Sequence, residues 1–316
     1  MAQDKSVKTR RLIVFPGALG DLICAAPALA RLAQRRAGVW ELMARAELAR
    51  FAVGRIAGVE RDHSIDRREV AELFRNVAGA KARAFFSQFE EIVSFFAAND
   101  EQFRRGLAAA APGAALSFHR FRPEGTGHVA LGYLREVGAD LPLGPALTVL
   151  ESDLAAARST LESLGLREGH YVVLFPGSGS AAKNWPAPKF AQLATQVASK
   201  FEALVVLGPA EEGLEPQFRG RGIRCIGGLD LGALAGIARL AAGFVGNDSG
   251  VSHLAGAAGA RGVALFGPTD PARWRPSGEV SVIHKEPMDA IGVDEVVVEL
   301  DRVVVRRIPS AVCSSD

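Results

Sequence analysis

Residues 245–274 read VGNDSGVSHLAGAAGARGVALFGPTDPARW, and their order settles the kind of fold to expect. An apolar run ends at Gly246 and is followed by Asn247, Asp248, Ser249 and Gly250, which are turn and helix-capping types. A small-residue helix carrying His253 comes next, then the apolar run Val263–Phe266, then Gly267-Pro268-Thr269. A strand–cap–helix–strand–loop unit presents backbone N–H groups at a helix N-terminus, where an anion can sit. A phosphate-bearing ligand is therefore the first expectation.

Working outward, apolar runs alternate with amphipathic stretches along the 316-residue chain, which predicts parallel α/β architecture in two domains of ordinary size. In the first half, Arg11–Phe15 and Val39–Met43 read as strands. Asp21–Arg36 reads as a helix capped by Asp21 and interrupted in pattern by Pro27. Helical candidates follow near 67–78 and 99–111, with an apolar run at Ile92–Phe96 and a helix over Gly127–Val137. Residues 138–150 read as a Gly/Pro-rich linker. In the second half, strands are expected at Tyr171–Phe175, Leu204–Leu207, near Ile223–Ile226, and at 243–246 and 263–266. Helices are expected at 151–165, 187–200, 230–242 and 293–306. Val14-Phe15-Pro16-Gly17 and Leu174-Phe175-Pro176-Gly177 echo one another at the end of the first strand of each half. Two Rossmann-like domains, 1–150 and 151–316, facing an interdomain cleft would place both loops at carboxyl ends of strands, where α/β sheets bind ligands.

Composition narrows the function. A hydrophobic content of 48% with 23% charged residues describes a soluble globular chain. The N-terminus MAQDKSVKTRR has no apolar signal core, and no run reaches the ~18 uncharged apolar residues of a membrane span. Cys24, Cys225 and Cys313 are scattered, which fits a reducing cytoplasm and gives no metal or disulfide framework. Net charge is +2, unevenly spread: residues 1–150 carry 21 Lys/Arg against 16 Asp/Glu, and residues 151–316 carry 16 against 19. The basic surplus, which includes Arg67, Arg68, Arg104, Arg105, Arg120 and Arg122, is either a solvated face or an attraction for an anionic acceptor or membrane face. No basic stripe interleaved with aromatics points to nucleic acid.

Four loops follow predicted strands. In Gly17-Ala18-Leu19-Gly20-Asp21 the glycines permit a tight turn, and Asp21 is either a general base or only the cap of its helix. In Pro176-Gly177-Ser178-Gly179, continuing to Lys183-Asn184-Trp185-Pro186, Ser178 and Gly179 can offer amides and Lys183 a charge to phosphate. Asn184 after the lysine rules out a P-loop, and the pattern breaks before a dinucleotide GxGxxG. In Leu207-Gly208-Pro209-Ala210-Glu211-Glu212 an acidic residue can hold ribose hydroxyls or simply complement a helix dipole. In the opening segment Ser249, Gly250 and Val251 can offer amides to a diphosphate, Asp248 can bind sugar hydroxyls, and His253 is a packed helical histidine or a ligand contact. His63, His119, His128, His170 and His284 lack metal-ligand spacing, and no GxSxG, HExxH or Cys/His cluster is present.

In this order, GALGDLICAAPAL at 17–29, PGSGSAAKNWP at 176–186 and NDSGVSHLAGAAGARGVALFGPTDPARW at 247–274 resemble the heptosyltransferase family, GT-B glycosyltransferases of the lipopolysaccharide inner core. The resemblance runs over nearly the whole chain, most strongly from about 171 to 275, with little to match at 45–125. It implies an inverting, metal-independent transfer of heptose from an ADP-sugar, with no cofactor, to a lipopolysaccharide-core or lipid-linked acceptor. It also implies an acceptor domain at 1–150 and a donor domain at 151–316, whose last helix can pack back on the first, and work at the cytoplasmic face of the inner membrane. Carried over by motif, Asp21 is the general base and Lys183 neutralises the diphosphate. Glu211, or Glu212 in register, holds the ribose, Asp248 contacts the sugar, and Ser249, Gly250 and Val251 give amides to phosphate. Two departures stand out: Phe15-Pro16-Gly17 replaces the basic residue and Ser that members often show there, and residues 284–292 lack a cysteine many members carry. The alternatives are a nucleotide-sugar epimerase or hydrolase of the same fold, and a non-catalytic nucleotide-sugar binding protein.

Overall fold

The computed structural model describes residues 9–75, 79–139 and 147–305. The chain divides into two compact units, Met1–Thr148 and Val149–Asp316. The expected linker at 138–150 lies outside the described residues over 140–146, as does Cys313.

The first unit runs β1 (Arg10–Val14), α1 (Leu19–Arg35), β2 (Val39–Ala44), α2 (Ala46–Ala52), β3 (Val59–Ser64), α3 (Arg68–Ala71), α4 (Ala80–Phe86), β4 (Glu91–Ser94), α5 (Glu101–Ala110), β5 (Ala115–Phe118) and α6 (Val129–Glu136). Its strands form one sheet in the order β3-β2-β1-β4-β5, every pair parallel. β1 and β2 sit inside the sheet and carry apolar runs buried on both faces, as interior parallel strands do. Leu12, Val14, Met43 and Ile92 pack with Phe85, Phe86, Phe89, Phe103 and Leu107 into one core. Glu41 of β2 is wholly buried, and it is tolerated because Arg10 (2.6 and 2.9 Å) and His63 (2.6 Å) hold both of its oxygens.

The second unit runs α7 (Glu151–Ser163), β6 (Tyr171–Phe175), α8 (Ala187–Val197), β7 (Glu202–Leu207), α9 (Glu215–Arg219), β8 (Arg224–Gly227), α10 (Leu231–Leu240), β9 (Gly243–Asn247), α11 (Gly250–Ala257), β10 (Gly262–Phe266), α12 (Pro271–Trp274), β11 (Val280–His284) and α13 (Val293–Val305). Its sheet, β11-β10-β9-β6-β7-β8, is also parallel throughout. The last helix packs its apolar face within this unit: Val296, Leu300 and Val303 join Leu193, Val245, Val263 and Leu265 in the core.

In both sheets the first strand of the unit lies beside the fourth, with the second and third on one side and the later strands on the other. Strand order therefore reverses between β1 and β4, and again between β6 and β9. Just outside the carboxyl ends of the strands at such a point, neighbouring loops run in opposite directions and leave a crevice for ligand. The loops singled out in the sequence, after β1, β6 and β9, stand at those two points.

Candidate active site

At the first switch point β1 ends in Phe15-Pro16-Gly17, and α1 begins at Leu19. Asp21 is not the N-cap, which is Ala18; it lies in the first turn and reaches back to accept the Ala18 N–H at 3.1 Å. That contact satisfies an amide that the first helical turn leaves open. α1 runs on through Pro27 to Arg35. The Asp21 side chain is 6% exposed, and Arg122 grips it with two bonds, Nε to Oδ1 at 2.8 Å and Nη2 to Oδ2 at 3.0 Å. Hydrogen bonding to Asp21 outweighs burial and raises the Arg122 guanidinium above its usual value.

Gly17 is required by close approach: a Cβ there would stand 2.5 Å from Phe15 Cε1 and 2.6 Å from Asp21 Cβ. Gly17→Ala is therefore expected to push Asp21 off its present position. The check is turnover, lowered about tenfold or more as positioned groups lose alignment, together with a lowered melting temperature.

At the second switch point the loop after β6 and the loop after β9 are tied together by Asn247. This side chain is fully buried; Oδ1 accepts the Trp185 N–H at 3.0 Å and Nδ2 donates to the Pro176 carbonyl at 2.7 Å. Trp185, itself buried, donates Nε1–H to the Ile291 carbonyl at 3.1 Å and packs on Phe190. The glycine loop and the Lys183 turn are thus anchored to β9 from both sides. Asn247→Ala leaves a buried amide and a buried carbonyl without partners. A loss of about 2–4 kcal/mol in urea unfolding is expected, from roughly 1–3 kcal/mol per orphaned group.

Held this way, Lys183 Nζ meets Asp248 Oδ2 at 2.7 Å, and Asp248 is 6% exposed. His253, on the buried face of α11, brings Nε2 to 4.0 Å from Asp248 Oδ1. Ser249 caps α11, its Oγ accepting the Ser252 N–H at 3.4 Å, while Ser252 Oγ donates to the Asn247 carbonyl at 2.7 Å. The half-buried Gly250 and Val251 open the helix, where amides point outward along the axis. Ser178 folds its own loop, donating to the Ser180 carbonyl at 2.8 Å, and Gly179 is exposed.

The structure also separates Glu211 from Glu212. Glu211 accepts the Gly208 N–H at 3.1 Å, and its side chain lies where a Cβ on Gly177 would be, so it faces the glycine loop. Glu212 is exposed. Of the sequence candidates, then, Ser178, Gly179, Lys183, Glu211, Asp248 and Ser249 stand on the segments that follow β6, β7 and β9 at one end of the second sheet, and Gly250, Val251 and His253 stand in α11, which opens there. Asp21 stands in the first unit with Arg122, a partner that the sequence showed only as one member of a basic surplus. Among the described residues no group of three or more His, Cys, Asp or Glu is arranged to hold a metal ion. No helix among them is long and apolar enough to cross a membrane.

Comparison with known proteins shows the family and the fold. Residues 129–289 match the family model for glycosyltransferase family 9 (heptosyltransferase). Lipopolysaccharide heptosyltransferase 3 of Escherichia coli (strain K12) is 32% identical over 130 residues, so the match spans 38% of this chain and 37% of that protein's length. Three solved structures share the fold over almost their whole length. E. coli ADP-heptose lipopolysaccharide heptosyltransferase II has a TM-score of 0.75 at 19% identity, covering 94% of this chain and 99% of its own. A glycosyltransferase family 9 protein of Veillonella parvula scores 0.78 at 18%, covering 96% and 99%. E. coli heptosyltransferase WaaC with ADP scores 0.68 at 20%, covering 93% and 99%. The matched span takes in β6 to β11 with the glycine loop, Lys183 and the Asp248–Val251 helix start, and the chain belongs to glycosyltransferase family 9 (heptosyltransferase).

Proposed function

We propose that the protein is an inverting, metal-independent glycosyltransferase that moves a heptose from an ADP-sugar to a lipopolysaccharide-core or lipid-linked acceptor. The observation that carries the reading is the group at the second switch point. Lys183 and Asp248 are joined at 2.7 Å beside the start of α11, with Glu211 turned onto Gly177. A lysine ammonium has three donors and spends one on Asp248, leaving two for diphosphate oxygens. The amides of Ser249, Gly250 and Val251 supply further fixed donors where negative charge grows as ADP departs. Glu211 is suited to ribose hydroxyls, Asp248 and His253 to the transferred sugar, and Ser178 and Gly179 to the phosphate side. Two structural relatives carry names consistent with this donor: one is called an ADP-heptose heptosyltransferase and another was solved with ADP.

The first unit then holds the acceptor. Asp21 takes the proton of the acceptor hydroxyl, and the freed oxygen lone pair forms the bond to the anomeric carbon. The bond from that carbon to the diphosphate breaks on the opposite face, ADP leaves with the electron pair, and the configuration inverts. The family match begins at residue 129, so the role of Asp21 rests on its own geometry and on the loop GALGDLICAAPAL. The surplus of basic residues in the first half, 21 against 16 acidic, favours an anionic acceptor, including one presented at a membrane surface.

A panel of ADP-, UDP- and GDP-sugars, read by thermal shift and nucleotide release, tests the reading. ADP-heptose is expected to raise the melting temperature and to release ADP only with acceptor present. Preference for a UDP- or GDP-sugar would overturn the donor assignment. Release of free sugar at full rate without acceptor would make the protein a hydrolase instead.

A further inference from the structure

Asp21 is not open to a substrate hydroxyl in this structure. Both of its oxygens accept from the Arg122 guanidinium, at 2.8 and 3.0 Å, and Oδ2 also takes the Ala18 amide. A carboxylate held bidentately has committed the lone pairs on that side, and it is a weak acceptor until the guanidinium withdraws. The guanidinium is differently placed. The Arg122 side chain is 55% exposed, against 6% for Asp21. Arg122 lines a cavity of about 530 Å³ with Phe95, Ala97, Arg120 and Phe121, at the carboxyl ends of β4 and β5. Two carboxylates also line it, but Asp100 is engaged as the cap of α5, accepting the Phe103 N–H at 2.8 Å, and Glu124 is exposed.

The backbone around this cavity is shaped for it. Among the described residues the two non-glycine residues with left-handed φ, Ala97 at 48° and Arg122 at 54°, both line it. Such conformations are unfavourable for residues with a side chain and persist where the surroundings enforce them. At Arg122 the backbone N–H donates to Tyr133 Oη at 3.1 Å, and Cζ lies 5.2 Å from the centre of the Phe121 ring. Main chain and ring thus hold the residue at the cavity wall, while its guanidinium bridges the cavity and the base.

We propose that Arg122 is a latch on Asp21, released when an anionic group of the acceptor, a carboxylate or a phosphate, enters this cavity and takes the guanidinium. The inference rests on the reading of Asp21 as the base, and makes Arg122 a positioning residue that acts through it. The base is then exposed only when a charged acceptor is in place, so a bound donor is not spent on water. Asp21 and the incoming anion compete for one guanidinium, and the coupling is reciprocal: discharging Asp21 must tighten anion binding, and removing Arg122 must abolish it.

The test is calorimetric titration of glucuronate, glucose 6-phosphate and neutral glucose, without donor, into wild type, Asp21→Asn and Arg122→Gln. Asp21→Asn keeps an oxygen for the Ala18 amide and so keeps the helix start. Expected is about tenfold tighter binding of an anionic sugar to Asp21→Asn than to wild type, within the usual 5–150-fold span of such coupling. Loss of that binding in Arg122→Gln is also expected, with glucose indifferent to both changes. The arm that gains identifies carboxylate or phosphate as the releasing group. Equal binding in all three proteins, or none in any, would overturn the latch. A second readout is hydrolysis of ADP-heptose without acceptor, expected to rise in Arg122→Gln; a fall would count against the latch. Failure of wild type to turn over any ADP-sugar would strike the transferase reading alone, since the titrations need no donor.

Discussion

Asp21→Asn is expected to lower sugar transfer about 1000-fold while leaving ADP affinity within twofold of wild type, a size within the 10²–10⁴ that a positioned general base contributes. The substitution is nearly isosteric. It retains an oxygen for the Ala18 amide and for Arg122 Nη2, contacts now made to Oδ2 at 3.1 and 3.0 Å. The start of α1 and the switch point of the first sheet should therefore survive, and a thermal melt within a few degrees of wild type would show it. What the amide cannot do is accept the hydroxyl proton. The loops proposed to hold the donor lie in the other compact unit, so ADP titration reports on them separately. Transfer at the wild-type rate would place the base elsewhere, and a parallel loss of ADP binding would show that the variant damages more than the proton transfer.

The sequence announced most of the interior strands of both sheets and the edge strand β8, and missed the edges β3, β5 and β11. β1, β2, β6, β9 and β10 are buried on both faces, so each reads as an apolar run that a chain has little reason to contain otherwise. β3, VERDHS, buries only Val59; β5, ALSF, buries no residue fully; β11, VSVIH, buries only Ile283. These are edge strands, made by pairing with a neighbour already in place, and their own pattern carries little of that information. The same division holds at the site. The loops of the second switch point were legible because each is local: a glycine loop, a lysine a few residues on, a cap and a helix. The grip of Arg122 on Asp21 spans 101 residues of sequence and that of Asn247 on Trp185 spans 62. Such pairs arise from the strand order, which brings the loops after β1 and β5, or after β6 and β9, to one end of a sheet. Glu211 and Glu212 are equivalent in composition, and only the backbone at Gly177 and Gly208 tells them apart.

Lys183→Met should cut transfer by about 10²–10³, the usual cost of losing one fixed stabiliser of leaving-group charge, and weaken ADP binding about tenfold. A structural effect comes with it. Asp248 is almost fully buried and accepts from Lys183 at 2.7 Å, so the substitution strands a carboxylate whose other oxygen lies 4.0 Å from His253 Nε2. Stranding a buried charge costs up to about 3–5 kcal/mol. Lys183 is one-third exposed, so water screens the pair and about 2 kcal/mol in urea unfolding is the expected loss. The two effects separate in the double variant Lys183→Met/Asp248→Asn. Neutralising Asp248 removes the stranded charge and should restore most of the stability, while ADP affinity stays low because the ammonium is still missing. If the double variant instead regained ADP binding along with stability, Lys183 would serve only to neutralise Asp248, and the diphosphate would be held by the amides that open α11.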